Sequence, residues 1–125
     1  MLVLPPAIAA YIDAYNRHDV QGMLDCLNED VSFRNVSEGR VTARTHGKAA
    51  FAELAQFGAD AFSTRSQTVV NAITVLDTTL VEIDYAATVA MDLPNGWKAG
   101  QRLTLQGASL FCIREHKIAA IIDQS

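Results

Sequence analysis

The side chain best suited to chemistry in this sequence is Asp123, which ends an otherwise apolar strand pattern. Residues 118–122 read Ile-Ala-Ala-Ile-Ile, and alternation through Ala119 and Ile121 directs Asp123 to the same side of that strand. Apolar surroundings disfavour the charged carboxylate, which raises the pKa and suits the group to carry a proton near neutral pH. A solvated or backbone-capping carboxylate is the plainer alternative. Asp123 is therefore a candidate general acid or base.

Three tyrosines offer hydroxyl groups that could accompany such a carboxyl group. Tyr11 and Tyr15 lie one turn apart on the apolar side of a predicted helix, and Tyr85 alternates inward in a predicted strand. A tyrosine hydroxyl can polarise a substrate carbonyl, as an oxyanion donor does. Tyrosines on apolar faces also pack in cores with their hydroxyls at the edge. Tyr11 is the second catalytic candidate, and Tyr15 and Tyr85 are candidate ligand contacts.

The remaining candidates would line a pocket rather than react. Asn35 and Ser109 could orient a polar substrate group, or could satisfy each other or a water molecule. Most of the large apolar side chains belong to the core, but some must line any cavity that survives packing. The candidate ligand-binding set is Asn35, Ser109, Tyr85, Tyr15, Phe33, Phe111 and Ile121. A few polar groups inside an apolar cavity are the usual form of a small-molecule site.

Metal and phosphate chemistry have no support in the sequence. The three histidines, His18, His46 and His116, are scattered and lack metal-ligand spacing. His18 ends the first helix, and His46 could reach a pocket mouth. No phosphate-binding glycine loop, GxSxG or CxxC motif is present. We therefore expect neither a metal nor a cofactor.

The elements that must position these residues are helices first and strands afterwards. Pro5 and Pro6 suit a helix start, and apolar residues then recur at i, i+3, i+4 and i+7 from Ile8. Asp19 is a good N-cap for a second short helix. One strand, a polar loop over 37–44 and a third helix from Thr45 or His46 follow, with fraying over 58–63.

Long strand patterns separated by short turns fill the rest of the chain and predict antiparallel hairpins. The predicted strands are 67–76, 80–91, 102–113 and 118–123. Helices followed by a strand meander indicate an α+β fold with the helices on one sheet face. The opposite face would carry Leu110, Cys112, Ile118 and Ile122, among others. Such an apolar face favours a partner, and we predict a homodimer through the sheet.

Three stretches carry a resemblance to the nuclear-transport-factor-2-like superfamily, which includes ketosteroid isomerase, SnoaL-like polyketide cyclases and limonene epoxide hydrolase. They are residues 11–33, with Tyr-Ile-Asp-Ala-Tyr-Asn-Arg-His-Asp at 11–19, Gly-Lys-Ala-Ala-Phe at 47–51, and residues 109–123. The resemblance implies a cone-shaped cystatin-like fold in which three helices pack on a curved, mostly antiparallel sheet. It indicates fold more strongly than activity, because folds of this kind host unrelated functions.

The resemblance also implies roles for individual residues. Tyr11 falls where ketosteroid isomerase has its oxyanion-hole tyrosine, Asn35 where it has its aspartate base, and Ser109 where it has a protonated aspartate. Because an amide cannot take a proton from carbon, steroid isomerisation is not expected. Asp123 falls where SnoaL-like cyclases and limonene epoxide hydrolase carry an acid/base aspartate. Residues 85–89 lack the arginine and second aspartate of the hydrolase, so epoxide hydrolysis is not expected.

Composition limits the class of protein and leaves two function hypotheses. The chain has 125 residues, half of them apolar, and a formal net charge of −4, which predicts one domain spanning 1–125 and disfavours nucleic-acid binding. The short apolar start is not expected to be a signal peptide, no stretch suits a membrane span, and the isolated Cys26 and Cys112 fit a reduced cytoplasmic setting.

The first hypothesis is cofactor-free acid–base chemistry on a hydrophobic carbonyl compound: isomerisation, cyclisation or dehydration. The second is a non-catalytic dimeric module that binds a ligand or a protein.

Overall fold

The computed structural model describes residues 3–125, in which three helices pack on one face of a six-stranded sheet. Met1 and Leu2, where the apolar start begins, lie outside the described residues. In chain order the elements are α1 (Pro6–Asn16), α2 (Val20–Asp25), β1 (Leu27–Ser37), β2 (Arg40–His46), α3 (Lys48–Ala61), β3 (Phe62–Val75), β4 (Thr78–Val89), β5 (Arg102–Arg114) and β6 (Lys117–Gln124). No helix in the described range is long and apolar enough to cross a membrane.

The two N-terminal helices begin where the sequence predicts. Pro6 is the first residue of α1, where its missing N–H leaves no hydrogen bond unmade. Asp19 caps α2, since its Oδ1 accepts a hydrogen bond from the backbone N–H of Gly22 at 2.9 Å. Between them His18 adopts a left-handed conformation with φ of 58° and turns the chain.

The sheet has the strand order β2-β1-β6-β5-β4-β3. Every neighbouring pair is antiparallel except β1 and β6, which are parallel. The α+β class and the mostly antiparallel sheet are thus confirmed. The parallel contact joins the first strand of the chain to the last and places both inside the sheet rather than at its edges.

The prediction of a polar loop over 37–44 is wrong, because the chain forms a hairpin there. Glu38 and Gly39 both have positive φ, 52° and 79°, which is the geometry of a tight two-residue β-turn. The following strand, β2, pairs with β1 in antiparallel register. As an edge strand that is largely exposed, β2 has no apolar alternation, so its sequence resembles that of a loop.

Two further differences concern the ends of elements. The third helix runs without fraying to Ala61, and β3 begins at the next residue, Phe62, five residues before the predicted start. Ile118 was expected on the outer face with Ile122, but it is fully buried in the helix-side core. A register irregularity in the β5–β6 pairing, where Ile113 pairs with Ile118 but Cys112 with Ala120, changes which side of the sheet Ile118 faces.

The hydrophobic core lies between the helices and the inner face of the sheet. Helix α1 contributes Ile8, α2 contributes Met23, and the central strands contribute Val31, Phe111 and Ile121, all less than 3% exposed. This packing anchors one end of β1, β5 and β6. Towards their other ends the same inner face borders open space, and the candidate site lies there.

Candidate functional site

A cavity of about 1040 Å³ lies between α3 and the inner face of the sheet and opens to solvent. The exposed surface of its wall is mainly apolar, with contributions such as Leu54, Phe57 and Ile83, and polar side chains lie among these residues. The volume is at the upper end of the range for small-molecule sites. The cavity is therefore large enough for a multi-ring organic molecule.

Asp123 and Ser109 form the central polar contact of this wall. They are direct cross-strand neighbours on β6 and β5, and Asn35 on β1 pairs with Asp123 from the other side. The Ser109 hydroxyl donates a hydrogen bond to Asp123 Oδ1 at 2.6 Å. All three residues line the cavity. The strand register thus places Asp123 beside Ser109, which is 14 positions away in the sequence, and beside Asn35, which comes from the first strand of the chain.

The environment of Asp123 makes it a weak acid with a pKa close to neutrality. Burial raises the pKa of Asp123 from its ordinary value of 3.8 to about 6, because a desolvated carboxylate is penalised. The hydrogen bond from Ser109 acts in the opposite direction by stabilising the charged form. Both protonation states are consequently accessible near neutral pH, as a group that accepts and returns a proton requires.

Asn35 and Ser109 do not satisfy each other. The Asn35 amide donates to Thr42 Oγ1 on β2 at 2.8 Å, whereas Ser109 is bound to Asp123. Asn35 is held by the hairpin that the sequence suggested to be a loop. Its amide therefore presents a neutral, fixed polar group beside Asp123.

Tyr15 and Tyr85 form a second polar group in the cavity wall. Their hydroxyl oxygens are 2.9 Å apart and share a hydrogen bond between α1 and β4. Burial raises the pKa of both hydroxyls, and the positive charge of Arg65 partly opposes that rise. Both tyrosines therefore stay neutral and act as hydrogen-bond donors or acceptors.

The other candidates divide between the wall and the core behind it. Phe33 lines the cavity. Phe111 and Ile121 are each 1% exposed and belong to the core. They pair with each other two residues along β5 and β6 from the Ser109–Asp123 pair. Tyr11 is buried among Phe51 and Phe111, with ring centroids 6.4 and 5.8 Å away, and lies behind the cavity wall. Burial, followed by the negative charge of Asp123, raises the pKa of the Tyr11 hydroxyl.

Sequence reasoning missed several residues of the site. Arg65 and Gln67 precede or begin the predicted strand, but they share the inward side of β3 with Val69, and extending that alternation towards the N-terminus would have found them. Trp97, from the β4–β5 connection, lies against Phe62 in the cavity wall with ring centroids 6.4 Å apart. In the sequence Trp97 follows the Asn95-Gly96 turn, and this position alone does not distinguish a pocket mouth from a dimer edge.

The histidines lie outside the cavity wall. His18 Nδ1 is 3.1 Å from the carbonyl oxygen of Ala59, which ties the α1–α2 corner to α3. His46 and His116 are exposed at the end of β2 and in the β5–β6 turn. Within residues 3–125, no three His, Cys, Asp or Glu side chains are grouped closely enough to hold a metal ion.

Comparison with known proteins gives a consistent family and fold. Residues 8–121 match the family model described as a SnoaL-like domain. No protein of curated function matches the chain. Among solved structures, a protein from Xanthomonas campestris proposed to be a polyketide cyclase is 24% identical, with a TM-score of 0.80 over 95% of this chain and 87% of that one.

Two other solved structures represent different branches of the same fold. A hypothetical protein with a ketosteroid isomerase-like fold from Catenulispora acidiphila, in complex with trimethylamine, is 15% identical, with a TM-score of 0.78 over 97% of this chain and 85% of that one. An LEH-like epoxide hydrolase from M. tuberculosis is 17% identical, with a TM-score of 0.75 over 96% and 80% of the two chains. At such identities the likeness concerns the fold.

Proposed function

The chain belongs to the SnoaL-like domain family, and on that basis we propose that it performs cofactor-free acid–base chemistry on a hydrophobic carbonyl compound. In this proposal Asp123 takes a proton from the carbon next to the carbonyl and returns it at another position, in an isomerisation, cyclisation or dehydration. The observation that carries the proposal is the Asp123–Ser109 contact of 2.6 Å in the wall of a mainly apolar cavity.

The surroundings of Asp123 support this role. A general base works best when its pKa lies near the working pH, and the pKa of Asp123 is about 6 because the group is buried. Ser109 fixes the orientation of the carboxyl group, and Asn35 offers a neutral polar contact to the ligand on the adjacent strand. Since Tyr11 packs behind the wall, direct contact with the ligand is expected from Tyr15 and Tyr85 instead.

Exchange of a ketone α-proton for deuterium tests the chemistry without knowledge of the natural substrate. We expect the protein to accelerate exchange of 2-tetralone in D₂O, followed by NMR, with a rate that rises as pH increases through about 6 and then levels off. Asp123→Asn should lower the protein-dependent rate by about 100-fold or more, the usual contribution of a general base. The matched control is Asp60→Asn, which changes an exposed aspartate of α3 that does not line the cavity. An Asp123→Asn protein that exchanges at the wild-type rate would contradict the proposal.

A non-catalytic binding module is the second candidate. It is favoured by Asn35, an amide that cannot act as a base and that is already engaged with Thr42. Native mass spectrometry of the purified protein distinguishes the two candidates when combined with the exchange assay. A retained hydrophobic ligand together with no protein-dependent exchange would support binding alone.

We further propose that the protein is a homodimer through the outer face of the sheet. That face carries a cross-strand row of Ile73, Leu80, Leu110 and Ile122, of which Ile73 is 60% and Leu80 47% exposed. Exposed apolar patches of this kind usually mark interaction sites.

The charged residues on this face are separated by sign. Glu82 and Asp84 are exposed on β4 beyond Leu80, whereas Arg34, which pairs with Ile122, and Arg44 continue the row onto β1 and β2. Arg34 Nε is buried and makes no hydrogen bond within residues 3–125. A two-fold axis through the row would bring the acidic side of one copy over the basic side of the other.

Leu80→Lys tests the dimer by placing a charge in the apolar row. We expect sedimentation velocity to show a dimer for the wild-type protein and a monomer for this variant. Met91→Lys is the control, because Met91 is similarly exposed, at 41%, but follows the end of β4. A wild-type protein that sediments as a monomer would refute the proposed dimer.

A further inference from the structure

Arg65 is a buried cation without an anionic partner. Its side chain is only 6% exposed, yet none of the ion pairs within residues 3–125 involves it. Its guanidinium donates from Nε to the carbonyl oxygen of Tyr15 at 3.0 Å, and Nη2 lies 4.0 Å from Met23 Sδ. Burying a charge is costly unless an opposite charge or strong hydrogen bonds offset it. A carbonyl oxygen and a thioether sulfur offset it only in part.

The guanidinium stacks directly behind the tyrosine pair of the cavity wall. Arg65 Cζ lies 3.7 Å from the centroid of the Tyr15 ring, a close cation–π arrangement. The Tyr15 hydroxyl in turn is 2.9 Å from the Tyr85 hydroxyl, and both residues line the cavity. Arg65 thus contacts the face of the Tyr15 ring, and the hydroxyl of that ring belongs to the pair in the cavity wall.

The hydroxyl pair has one hydrogen that its mutual hydrogen bond does not use. Two hydroxyl groups carry two hydrogens, and their mutual hydrogen bond uses one of them. Gln67 is the cross-strand neighbour of Tyr85, and its buried Oε1 does not accept the second hydrogen, because this oxygen makes no hydrogen bond within residues 3–125. The second hydrogen is therefore available to an acceptor in the cavity.

We propose that the Tyr15–Tyr85 pair binds an anionic ligand oxygen, an enolate or a phenolate, and that Arg65 is the positioning residue that supplies the balancing positive charge. The proposal rests on the proposed function, because it specifies where the oxygen of the same ligand lies. Arg65 touches no ligand itself and acts through the ring and hydroxyl of Tyr15.

The charges that face the tyrosine pair agree with this assignment. Arg65 lowers and Asp123 raises the pKa of both hydroxyls, so the pair lies within the fields of the two groups. Once Asp123 has taken up a proton it is neutral, and the field of Arg65 on the pair is no longer opposed. A negative charge that develops on the ligand at that moment is then stabilised where it forms.

The proton and the electrons balance without a co-reactant. For a conjugated ketone whose oxygen meets the tyrosine pair, a proton on a distant conjugated carbon moves to a carboxylate oxygen of Asp123, the C–H electrons form a C=C bond, the conjugated double bonds shift, and the carbonyl π electrons move to oxygen. For a phenol whose hydroxyl meets the tyrosine pair, the hydroxyl proton moves to solvent and the charge stays on oxygen. In both cases the anionic oxygen accepts a hydrogen bond from the tyrosine pair.

The strand register indicates the size of such a ligand. Val81 pairs with Ser109, the neighbour of Asp123, and Tyr85 lies four residues further along β4. At about 3.3 Å per residue, four residues separate the two polar positions by roughly 13 Å of strand, which the tyrosine side chains shorten. A planar ligand of naphthalene size or larger would reach both.

The ionisation of bound 2-naphthol tests the proposal, since its absorbance distinguishes the naphtholate from the neutral form. We expect the wild-type protein to lower the pKa of the bound probe relative to free probe. Arg65→Met should weaken naphtholate binding about tenfold or more, as expected for loss of a charge-assisted contact, without changing the affinity for the neutral isostere 2-methoxynaphthalene. Arg65→Lys should recover part of the loss.

Controls separate a functional from a structural role of Arg65. Arg102→Met, at the exposed start of β5, should leave the bound-probe pKa unchanged. Tyr85→Phe should also weaken naphtholate binding while Arg65 remains in place.

If Arg65 only fastened α1 to β3 through the Tyr15 carbonyl, Arg65→Met would lower the melting temperature and leave the bound-probe pKa as in the wild type. That result, or a wild-type protein that does not bind 2-naphthol, would overturn the proposal. Loss of the Asp123 effect in 2-tetralone exchange would instead contradict the proposed function and leave the naphtholate result standing.

Discussion

Replacing Asp123 by Asn should stabilise the fold at alkaline pH, because the wild-type carboxylate is ionised there in a desolvated place. A rise in the pKa from 3.8 to about 6 corresponds to about 3 kcal/mol at roughly 1.4 kcal/mol per unit. The folded state binds the proton more tightly than the unfolded state. Wild-type stability should therefore be greatest below about pH 4 and fall as pH rises to about 6. The amide does not titrate, so the variant avoids this loss.

Urea unfolding from pH 4 to pH 8, at one protein concentration, measures the difference. We expect Asp123→Asn to unfold with a free energy similar to the wild type near pH 4 and up to about 3 kcal/mol higher at pH 8, roughly a 10 °C rise in melting temperature. Asp60→Asn, on the exposed side of α3, should show no such pH dependence. A difference that does not change with pH, or an Asp123→Asn protein that is less stable at pH 8, would refute the reasoning that the carboxyl group is desolvated.

Removal of the Ser109 hydroxyl should raise the pKa of Asp123 by about one unit, because a hydrogen bond to a charged group contributes about 1.5–3 kcal/mol and water replaces part of it. Carboxyl ¹³C NMR of Ser109→Ala measures this pKa, and an unchanged value would contradict the prediction. Gly107→Ala should destabilise the fold by about 1–3 kcal/mol in urea unfolding, since the new Cβ would lie 2.7 Å from the backbone oxygen of Gln124. Gly58→Ala adds the same methyl group inside α3, where the closest contact is an ordinary 3.5 Å, and should stabilise by about 0.5–1 kcal/mol. If both substitutions had equal effects, the steric argument would fail.

Much of the fold follows from local sequence signals. The prolines before Ile8 and the cap at Asp19 fixed the starts of the first two helices, because both depend on backbone groups within a few residues. The long hairpins of β4, β5 and β6 follow from turns and alternation in the same way. The edge strand β2 escaped prediction because it is exposed and its residues need no alternation.

The candidate site was predictable in part. Asp123, Ser109, Asn35, Tyr15, Tyr85 and Phe33 all lie in the cavity wall, as their alternation and the family resemblance suggested. Tyr11, Phe111 and Ile121 share the same inward faces but lie deeper, in the core. Alternation predicts which side of a strand a residue faces. It does not predict where the helices stop covering that side, and this decides whether an inward residue lies in the core or in the cavity wall.

By itself the sequence determined the α+β class, the inward side of β6 and the presence of a carboxyl group at its end. Tertiary structure alone decided that Asp123 meets Ser109 and Asn35, because this depends on the pairing of β6 with β5 and, in parallel, with β1. It also decided that Arg65 lies behind the tyrosine pair. The physical reason is range: helix starts and alternation arise from neighbouring residues, whereas desolvation and charge balance arise from side chains that the fold brings together.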